Sequence, residues 1–276
     1  YDVTDQLVRN KQNTANIEVL LGNGFYNEQG GRYHKLRISF GPPTLKMCIH
    51  ITYTDGTTED IITDHSWRYS PSELVFNSLY GGEDYDARIE RSWHPVVIQE
   101  GPKGMLRPQM APPVKVMKKY NPVSCDMLTA EERQKAEKIA KHVLPAGTFV
   151  LDMGQNLAGF TEITVKGKSG QQVKLTMSEK LDKAGLCDQS QTGRPHYHVY
   201  TLSGKGKETW HPRFTYYGFR YIEGEVAGMK GEPNPKGLPV IHDIKSCFIY
   251  NSARKISTFE CSNELINDTH WLIDRA

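Results

Sequence analysis

The amino-acid sequence predicts an all-β protein made of two β-sandwich (jelly-roll-like) domains, with one short inserted helix and the start of a C-terminal helix. Three observations carry this prediction. Apolar and polar residues alternate along residues 36–62, they alternate again within residues 148–177, and residues 210–223 hold six aromatic side chains. Only residues 129–143 combine the spacing and the capping residues of a complete helix.

The composition is that of an ordinary globular protein. Hydrophobic residues make up 38% and charged residues 24% of the 276 residues, and the net charge is +2. This balance gives no electrostatic case for a nucleic acid or a membrane as partner, and no apolar run approaches the ~20 residues that a membrane helix needs. The five cysteines are spread without a Cys-x-x-Cys pair, which argues against a disulfide framework and a zinc site. We therefore expect no cofactor and no metal. Because the chain opens on Tyr1, we expect a processed or excised piece.

The first half of the chain reads as short strands and turns. Residues 1–22 end in an apolar run, which Gly22 and Asn23 close as a turn. Asp55 and Gly56 then separate two alternating runs. Since both central residues of a type I′ turn need positive φ, this pair predicts a β-hairpin.

Residues 63–95 gather carboxylates around Arg88. Carboxylates in loops cap strand ends and pair with arginine, so a structural network is the favoured interpretation. A calcium site is the alternative, because hard cations bind several oxygens. The carboxylates are Asp64, Glu83, Asp84, Asp86 and Glu90. The proline-rich residues 95–125 follow, and they predict a partly extended crossover between domains.

Two helices are predicted in the second half. Thr129 and Glu132 form a capping box at the start of residues 129–143. Ser262 is a candidate N-cap for a second helix near the end of the chain.

Few residues suggest catalysis or metal binding. His196 and His198 lie two apart on one predicted strand face, but no third ligand lies near them, so a polar loop is favoured over a metal site. The sequence contains no nucleophile elbow, Walker loop, dinucleotide fingerprint or His-Glu-x-x-His.

Residues 210–223 are the stretch around which the second domain is organised. Gly218 interrupts the aromatic residues and predicts a strand with a bulge or a close backbone approach. By the two-residue period of a strand, Phe219 and Tyr221 should share one face, with Ile222 on the other. An aromatic core is the favoured interpretation, and rings that stack on the apolar face of a sugar are the alternative. The candidate carbohydrate-binding residues are Trp67, Arg88, Trp210, Tyr216, Tyr217 and Arg220.

Several short motifs follow one another along the chain. Their residues are Gly22, Asn23, Gly24, Phe25 and Tyr26; Gly82, Glu83, Tyr85, Asp86, Ala87 and Arg88; Asp152, Gly154, Asn156, Gly159, Val173, Leu175, Glu179 and Leu181; Phe214, Tyr216, Gly218, Phe219, Arg220 and Tyr221; and Phe259, Cys261, Ser262 and Asn263. In this order they resemble the accessory β-domains of bacterial α-L-rhamnosidases of glycoside hydrolase family 78. The resemblance covers most of the chain.

The resemblance implies an arrangement of domains and a set of partners. Residues 1–100 would be an N-terminal sandwich that lacks its first strands, residues 101–250 a second sandwich, and residues 251–276 a linker helix towards an absent α/α barrel. The inverting acid and base of the family belong to that barrel, so no catalytic residue is assigned here. Rhamnose-containing glycans, bound through the parent enzyme, and the chain's own missing catalytic domain would be the partners. A periplasmic or secreted location is implied rather than a cytoplasmic one.

Three functions stay open at this point. The chain is a non-catalytic accessory portion of a rhamnosidase-like protein, a free-standing carbohydrate-binding module, or a complete small enzyme. The third would use Glu83 with Asp86, or Asp152 with Glu179, as its pair of carboxylates. The first is favoured, because these four carboxylates fall within the accessory-domain motifs and are interpreted as structural.

Overall fold

The computed structural model describes residues 1–8, 14–34, 36–100, 104–193 and 195–275. Within these residues the helices are α1 (Thr4–Val8), α2 (Ala130–Ala140) and α3 (Glu264–Arg275). The strands are β1 (Asn27–Glu28), β2 (Ile38–Ser39), β3 (Cys48–Thr52), β4 (Thr58–Ile62), β5 (Arg68–Tyr69), β6 (Leu74–Ser78), β7 (Gly82–Asp86), β8 (His94–Pro95), β9 (Val114–Tyr120), β10 (Ser124–Met127), β11 (Phe149–Lys166), β12 (Gln172–Ser178), β13 (Lys180–Leu181), β14 (Cys187–Asp188), β15 (His198–Thr201), β16 (Lys207–Trp210), β17 (Tyr217–Glu225), β18 (Gly228–Met229) and β19 (Val240–Asn251). The predicted all-β class is confirmed.

One large sheet of eleven strands is built around β11. Its order is β18-β19-β11-β17-β12-β15-β7-β6, with β10 and β16 also paired to β11 and β9 paired to β19. Neighbours are antiparallel except β15 with β7 and β18 with β19. The first half of β11 pairs with β10 and β17, and its second half pairs with β16 and β19. The sheet therefore curls around β11, as expected for a β-sandwich.

A break in register bends β11 where it faces β17. Pairing is regular up to Asp152 and resumes at Leu157. Between them Gly154 adopts a φ of 78°, a left-handed conformation that glycine takes at little cost. On the facing strand, Phe219 and Ile222 are both fully buried in the same cluster. The predicted alternation put these two on opposite faces, so it does not separate buried from exposed positions on this strand. The extra residues of the irregularity lie on β11, where five steps from Asp152 to Leu157 face two steps from Tyr221 to Phe219.

The main core fills the interior of the curled sheet. Trp210, Phe149 and Phe219 are its largest fully buried side chains. Each such side chain contributes about 1.5–3 kcal/mol relative to an exposed one. Most other members come from β11, β12, β15, β17 and β19: Leu151, Met153, Leu157, Ile163, Val165, Val173, Leu175, Met177, Tyr200, Ile222, Ile241, Ile244 and Phe248.

Helix α2 packs against a second, smaller cluster. Thr129 caps the helix: its hydroxyl accepts the Glu132 N–H, and the Glu132 carboxylate accepts the Thr129 N–H at 2.8 Å. The helix stops at Lys141, which has a φ of 60°. The helix predicted over residues 129–143 is therefore confirmed within a few residues at its end. The members of the second cluster are Ala136, Leu144, Val150 and Leu186.

The residues before position 100 form short two-stranded sheets and also contribute to the large sheet. The predicted hairpin of β3 and β4 is present, but of the central pair only Gly56 has a positive φ, at 85°, so the expectation of positive φ at both Asp55 and Gly56 is wrong. Strands β6 and β7 instead join the large sheet, in which β7 runs parallel to β15. Two strands of the predicted first domain thus lie in the sheet of the predicted second domain. The domain bounds 1–100, 101–250 and 251–276 stay a prediction.

Arg32 fastens the N-terminal residues to that part of the sheet. Its guanidinium pairs with Asp84 of β7 and donates to the carbonyl oxygen of Tyr197 at 2.9 Å. The guanidinium carbon lies 3.6 Å from the ring centroid of Tyr197 and 4.4 Å from that of Phe76. Two ring faces, an ion pair and a carbonyl therefore hold one side chain.

Two elements face solvent with unusual composition. Strand β9 pairs with β19 alone among the described strands, so its second edge is open, and it carries Lys115, Lys118 and Lys119. Helix α3 contributes to neither core cluster. Its exposed apolar side chains are Leu265, Ile266, Trp271, Leu272 and Ile273. None of the described helices is both long enough and apolar enough to cross a lipid bilayer.

Candidate functional site

Two of the predicted carbohydrate-binding aromatics lie inside the protein. Trp210 is 2% exposed, and its ring packs at 5.4 Å from Tyr200 and 6.4 Å from Tyr85 between centroids. The Tyr217 hydroxyl donates to the carbonyl oxygen of Tyr80 at 3.2 Å. Trp210 is a core residue and Tyr217 is partly buried against the same core, so this part of the aromatic stretch packs in the interior, as the favoured interpretation expected.

Trp67 and Arg88 are held by local partners. The Trp67 indole N–H donates to the carbonyl oxygen of Ile62 at 3.2 Å. Arg88 donates to both carboxylate oxygens of Asp86, at 2.9 and 2.7 Å. Asp86 has a lowered pKa, chiefly because Arg88 donates to it. These contacts stabilise turns at the ends of strands, and carbohydrate binding by either residue stays a prediction.

Arg220 lies on β17, next to the bend of β11, and Tyr216 directly precedes β17. Tyr216 is 57% exposed. Arg220 donates through Nε and Nη2 to the two carboxylate oxygens of Asp152, at 2.8 and 2.7 Å. The bend itself contributes the Gly154 N–H, which donates to the same carboxylate at 2.7 Å. The hydrogen bond from Arg220 is the largest cause of the lowered pKa of Asp152, so this pair is charged at neutral pH.

A second hydrogen-bonded pair lies beside the first. Asn156 donates its side-chain N–H to Glu179 Oε1 at 2.7 Å, and both residues are exposed. The carboxylate covers Gly218, since a Cβ on that glycine would lie 3.1 Å from Oε1. Ala158 pairs with Gly218 across β11 and β17, so the sheet beneath this carboxylate carries only small residues.

These residues form one polar surface, which we call the Arg220 patch. Its members are Asp152, Asn156, Glu179, Tyr216, Gly218 and Arg220. Sequence reasoning found Tyr216 and Arg220, but interpreted Asp152 and Glu179 as structural. The signal that could have joined them is the glycine at the bend, because a bulge turns nearby side chains towards one place.

A buried polar cluster lies on the opposite, inner face of the sheet. Glu83 donates its backbone N–H to His198 Nδ1 at 3.1 Å, and its carboxylate accepts the Arg213 N–H at 2.8 Å. Burial raises the pKa of Glu83 to about 7, against the lowering effect of backbone N–H groups. Burial also lowers the pKa of His198 to about 3. The neutral His198 ring therefore accepts through Nδ1 and carries its hydrogen on Nε2.

The two histidines of the metal hypothesis are both buried. Burial lowers the pKa of His196 to about 4, and its ring packs 4.3 Å from that of Tyr217 between centroids. Over the described ranges, no three His, Cys, Asp or Glu side chains are arranged to hold a metal ion.

The four carboxylates of the small-enzyme hypothesis each have a separate role. Asp86 binds Arg88, Asp152 binds Arg220, and Glu179 accepts from Asn156. Glu83 is fully buried against backbone N–H groups. A glycosidase needs two carboxylates that face the same scissile bond across ~5–9.5 Å of open space. Each of these carboxylates is instead committed to its own partner.

Two sequence models of one protein family match the chain. The bacterial alpha-L-rhamnosidase concanavalin-like domain matches residues 142–250, and the alpha-L-rhamnosidase N-terminal domain matches residues 1–118.

Curated relatives carry the same name. An alpha-L-rhamnosidase of Formosa agariphila is 29% identical over 98% of this chain, and one of Streptomyces avermitilis is 30% identical over 84% of it. The aligned region is 28% of the first relative and 22% of the second. The chain thus spans about a quarter of their length.

Solved structures agree with this assignment. The alpha-L-rhamnosidase from Dictyoglumus thermophilum superposes with a TM-score of 0.66 at 29% identity, over 83% of this chain and 25% of that one. The Streptomyces avermitilis enzyme, solved in complex with L-rhamnose, superposes with a TM-score of 0.61 at 28% identity, over 83% of this chain and 21% of that one. The chain therefore belongs to the bacterial alpha-L-rhamnosidase family, whose N-terminal and concanavalin-like domains it matches.

Proposed function

We propose that this chain is the accessory β-portion of an α-L-rhamnosidase-like glycoside hydrolase, and that it is not catalytic by itself. The whole protein would hydrolyse terminal α-L-rhamnosyl residues with inversion. The observation that carries the proposal is the state of the carboxylates: each candidate acid or base is buried or paired with a separate side chain. An inverting enzyme needs one protonated and one ionised carboxyl group that face each other across the substrate.

The accessory role is to support a catalytic domain and the approach of its substrate. Exposed apolar surface on this scale marks a protein interface. Helix α3 exposes its apolar residues along the length of the helix, and β9 exposes Val114, Val116 and Met117. We propose that the catalytic portion of the same protein covers these surfaces, because the matched relatives are about four times as long as the aligned region.

The test is hydrolysis of an aryl α-L-rhamnoside by the 276-residue chain, beside the same chain extended downstream. We expect release of the aryl group by the extended protein only. Hydrolysis by the short chain that is lost in Glu83→Gln or Glu179→Gln would overturn the proposal and place the acid and base in these strands. If neither protein hydrolyses the substrate while a full-length relative does, the proposed activity of the whole protein is wrong.

A free-standing carbohydrate-binding module is the second candidate. The observation that favours it is the exposed side chain of Tyr216, two positions before Gly218, together with the two hydrogen-bonded polar pairs of the Arg220 patch. Retention of the short chain on immobilised rhamnose-containing glycan, in the absence of any further domain, is the result that would favour this candidate.

A further inference from the structure

We infer that the Arg220 patch binds one neutral monosaccharide through its hydroxyl groups. The proposal concerns a surface outside any acid–base chemistry, and it adds Asp152, Asn156 and Glu179 to the residues that contact sugar. It rests on the proposed function only for the choice of L-rhamnose as the probe.

The patch is assembled from segments that are distant in the sequence. The bend of β11 supplies Asp152 and Asn156, the end of β12 is followed by Glu179, and β17 supplies Arg220. Two short hydrogen-bonded pairs fix these side chains before any ligand arrives. Groups that are already ordered lose less conformational entropy on binding.

The fixed pairs leave donors and acceptors for a ligand. Asn156 uses its N–H on Glu179 Oε1, so its own oxygen and Glu179 Oε2 have no partner among the hydrogen bonds of the described side chains. Arg220 uses Nε and Nη2 on Asp152, which leaves Nη1 as a donor. Adjacent hydroxyl groups of a sugar both donate and accept, and they match such a set.

The floor and one edge of the patch suit a flat ring. Gly218 and Ala158 face each other across β11 and β17, and the Glu179 carboxylate already lies over Gly218, so a sugar ring would lie beside this carboxylate and not directly on the glycine. Tyr216 stands two positions before Gly218 and exposes 57% of its surface. An exposed aromatic ring is apolar on its face, and so is one face of a pyranose.

The charges of the patch disfavour other small ligands. Two carboxylates against one guanidinium leave a net charge of −1, which repels phosphate and other anions. Both oxygens of Asp152 are committed to Arg220, so the patch does not offer a metal ion the several free oxygens that it needs. A neutral polyhydroxyl ligand is the class that remains.

The test is a two-dimensional NMR titration of the ¹⁵N-labelled chain with L-rhamnose. The amide signals of Gly218 and Gly154 report on the floor and on the bend. We expect saturable shifts at both, with a dissociation constant in the millimolar range, because a shallow surface makes few contacts. Asn156→Ala should weaken binding about fivefold, the loss that one hydrogen bond produces, and Tyr216→Ala should weaken it further.

The matched control is Glu162→Gln. Glu162 lies on the same strand as Asn156 and pairs with Lys119, so its loss should leave the titration unchanged. Shifts that are absent at Gly218, or equal in Asn156→Ala and the wild type, would overturn the inference. Saturable shifts with inorganic phosphate would contradict the inference that the ligand of the patch is uncharged. The proposed accessory role does not depend on this result, because the hydrolysis assay compares two chain lengths and detects no binding, whereas the carbohydrate-binding module rests on the same patch.

Discussion

Glu83 is a buried carboxyl group whose surroundings oppose its charge. Its side chain is fully buried, and burial raises its pKa to about 7 although backbone N–H groups of Arg213 and Phe214 favour the charged form. A glutamate outside the fold titrates near 4.5. Since the folded pKa is the higher of the two, the contribution of Glu83 to stability is fully present below about pH 4.5 and is lost as the pH rises through about 7.

A pH-dependent loss of stability follows from Glu83. Between pH 5 and pH 8 we expect this group to lower the free energy of unfolding by on the order of 3 kcal/mol. Glu83→Gln should remove this part of the pH dependence, because an amide does not ionise. Urea unfolding at both pH values measures the effect. The variant Glu162→Gln, at a partly buried carboxylate that pairs with Lys119, should retain the wild-type dependence, and an unchanged dependence in Glu83→Gln would contradict this account.

The start of helix α2 is stabilised by two residues that cap each other. Its main-chain donors at the start are satisfied by Thr129 and Glu132, each of which accepts from the other. Thr129→Ala removes one of these acceptors and should lower the free energy of unfolding by about 1 kcal/mol. Thr129→Ser keeps a hydroxyl and should cost much less. Thermal unfolding of both variants checks the difference, and equal midpoints for the two would rule out the capping role.

The same helix indicates what local sequence can predict. The capping box, the Asp-Gly hairpin and the alternating runs involve residues close in sequence, so their structures could be predicted. Which side chains of residues 210–223 are buried and which are exposed could not be predicted in this way. The bend opposite Arg220 changes the register of the strand, and only the partner strand determines that change. The structure was therefore needed to establish that Trp210 is buried and that Tyr216 is exposed.

At the scale of the whole molecule, contacts across long sequence separations tie the N-terminal residues to the large sheet. Arg32 donates to the carbonyl oxygen of Tyr197, and the Thr215 hydroxyl donates to that of Leu79 at 2.8 Å. The hydrogen bond between Glu83 and His198 spans 115 positions. Such pairs cannot be predicted from a local sequence pattern. The sequence therefore predicted strands in both regions, but it did not predict that β6 and β7 would join the sheet of β11.

Arg32 should therefore matter to the stability of the entire chain. Arg32→Lys keeps the charge but loses the planar group that pairs with Asp84 and lies on two rings. We expect the free energy of unfolding to fall by about 2–3 kcal/mol. Arg91→Lys changes an exposed ion pair and should cost under about 1 kcal/mol. Urea unfolding compares the two, and similar losses for both would show that Arg32 is an ordinary surface residue.

The open edge of β9 has a consequence for how copies of this chain meet one another. An unpaired strand edge is a template on which a second chain can add its own strand, and such addition begins the growth of fibrils. Lys119 pairs with Glu162, and Lys115 and Lys118 add two further positive charges along the seven residues of this edge. Two molecules that approach edge to edge would bring Lys115 and Lys118 of each copy together, and we expect their repulsion to oppose growth through the largest sheet.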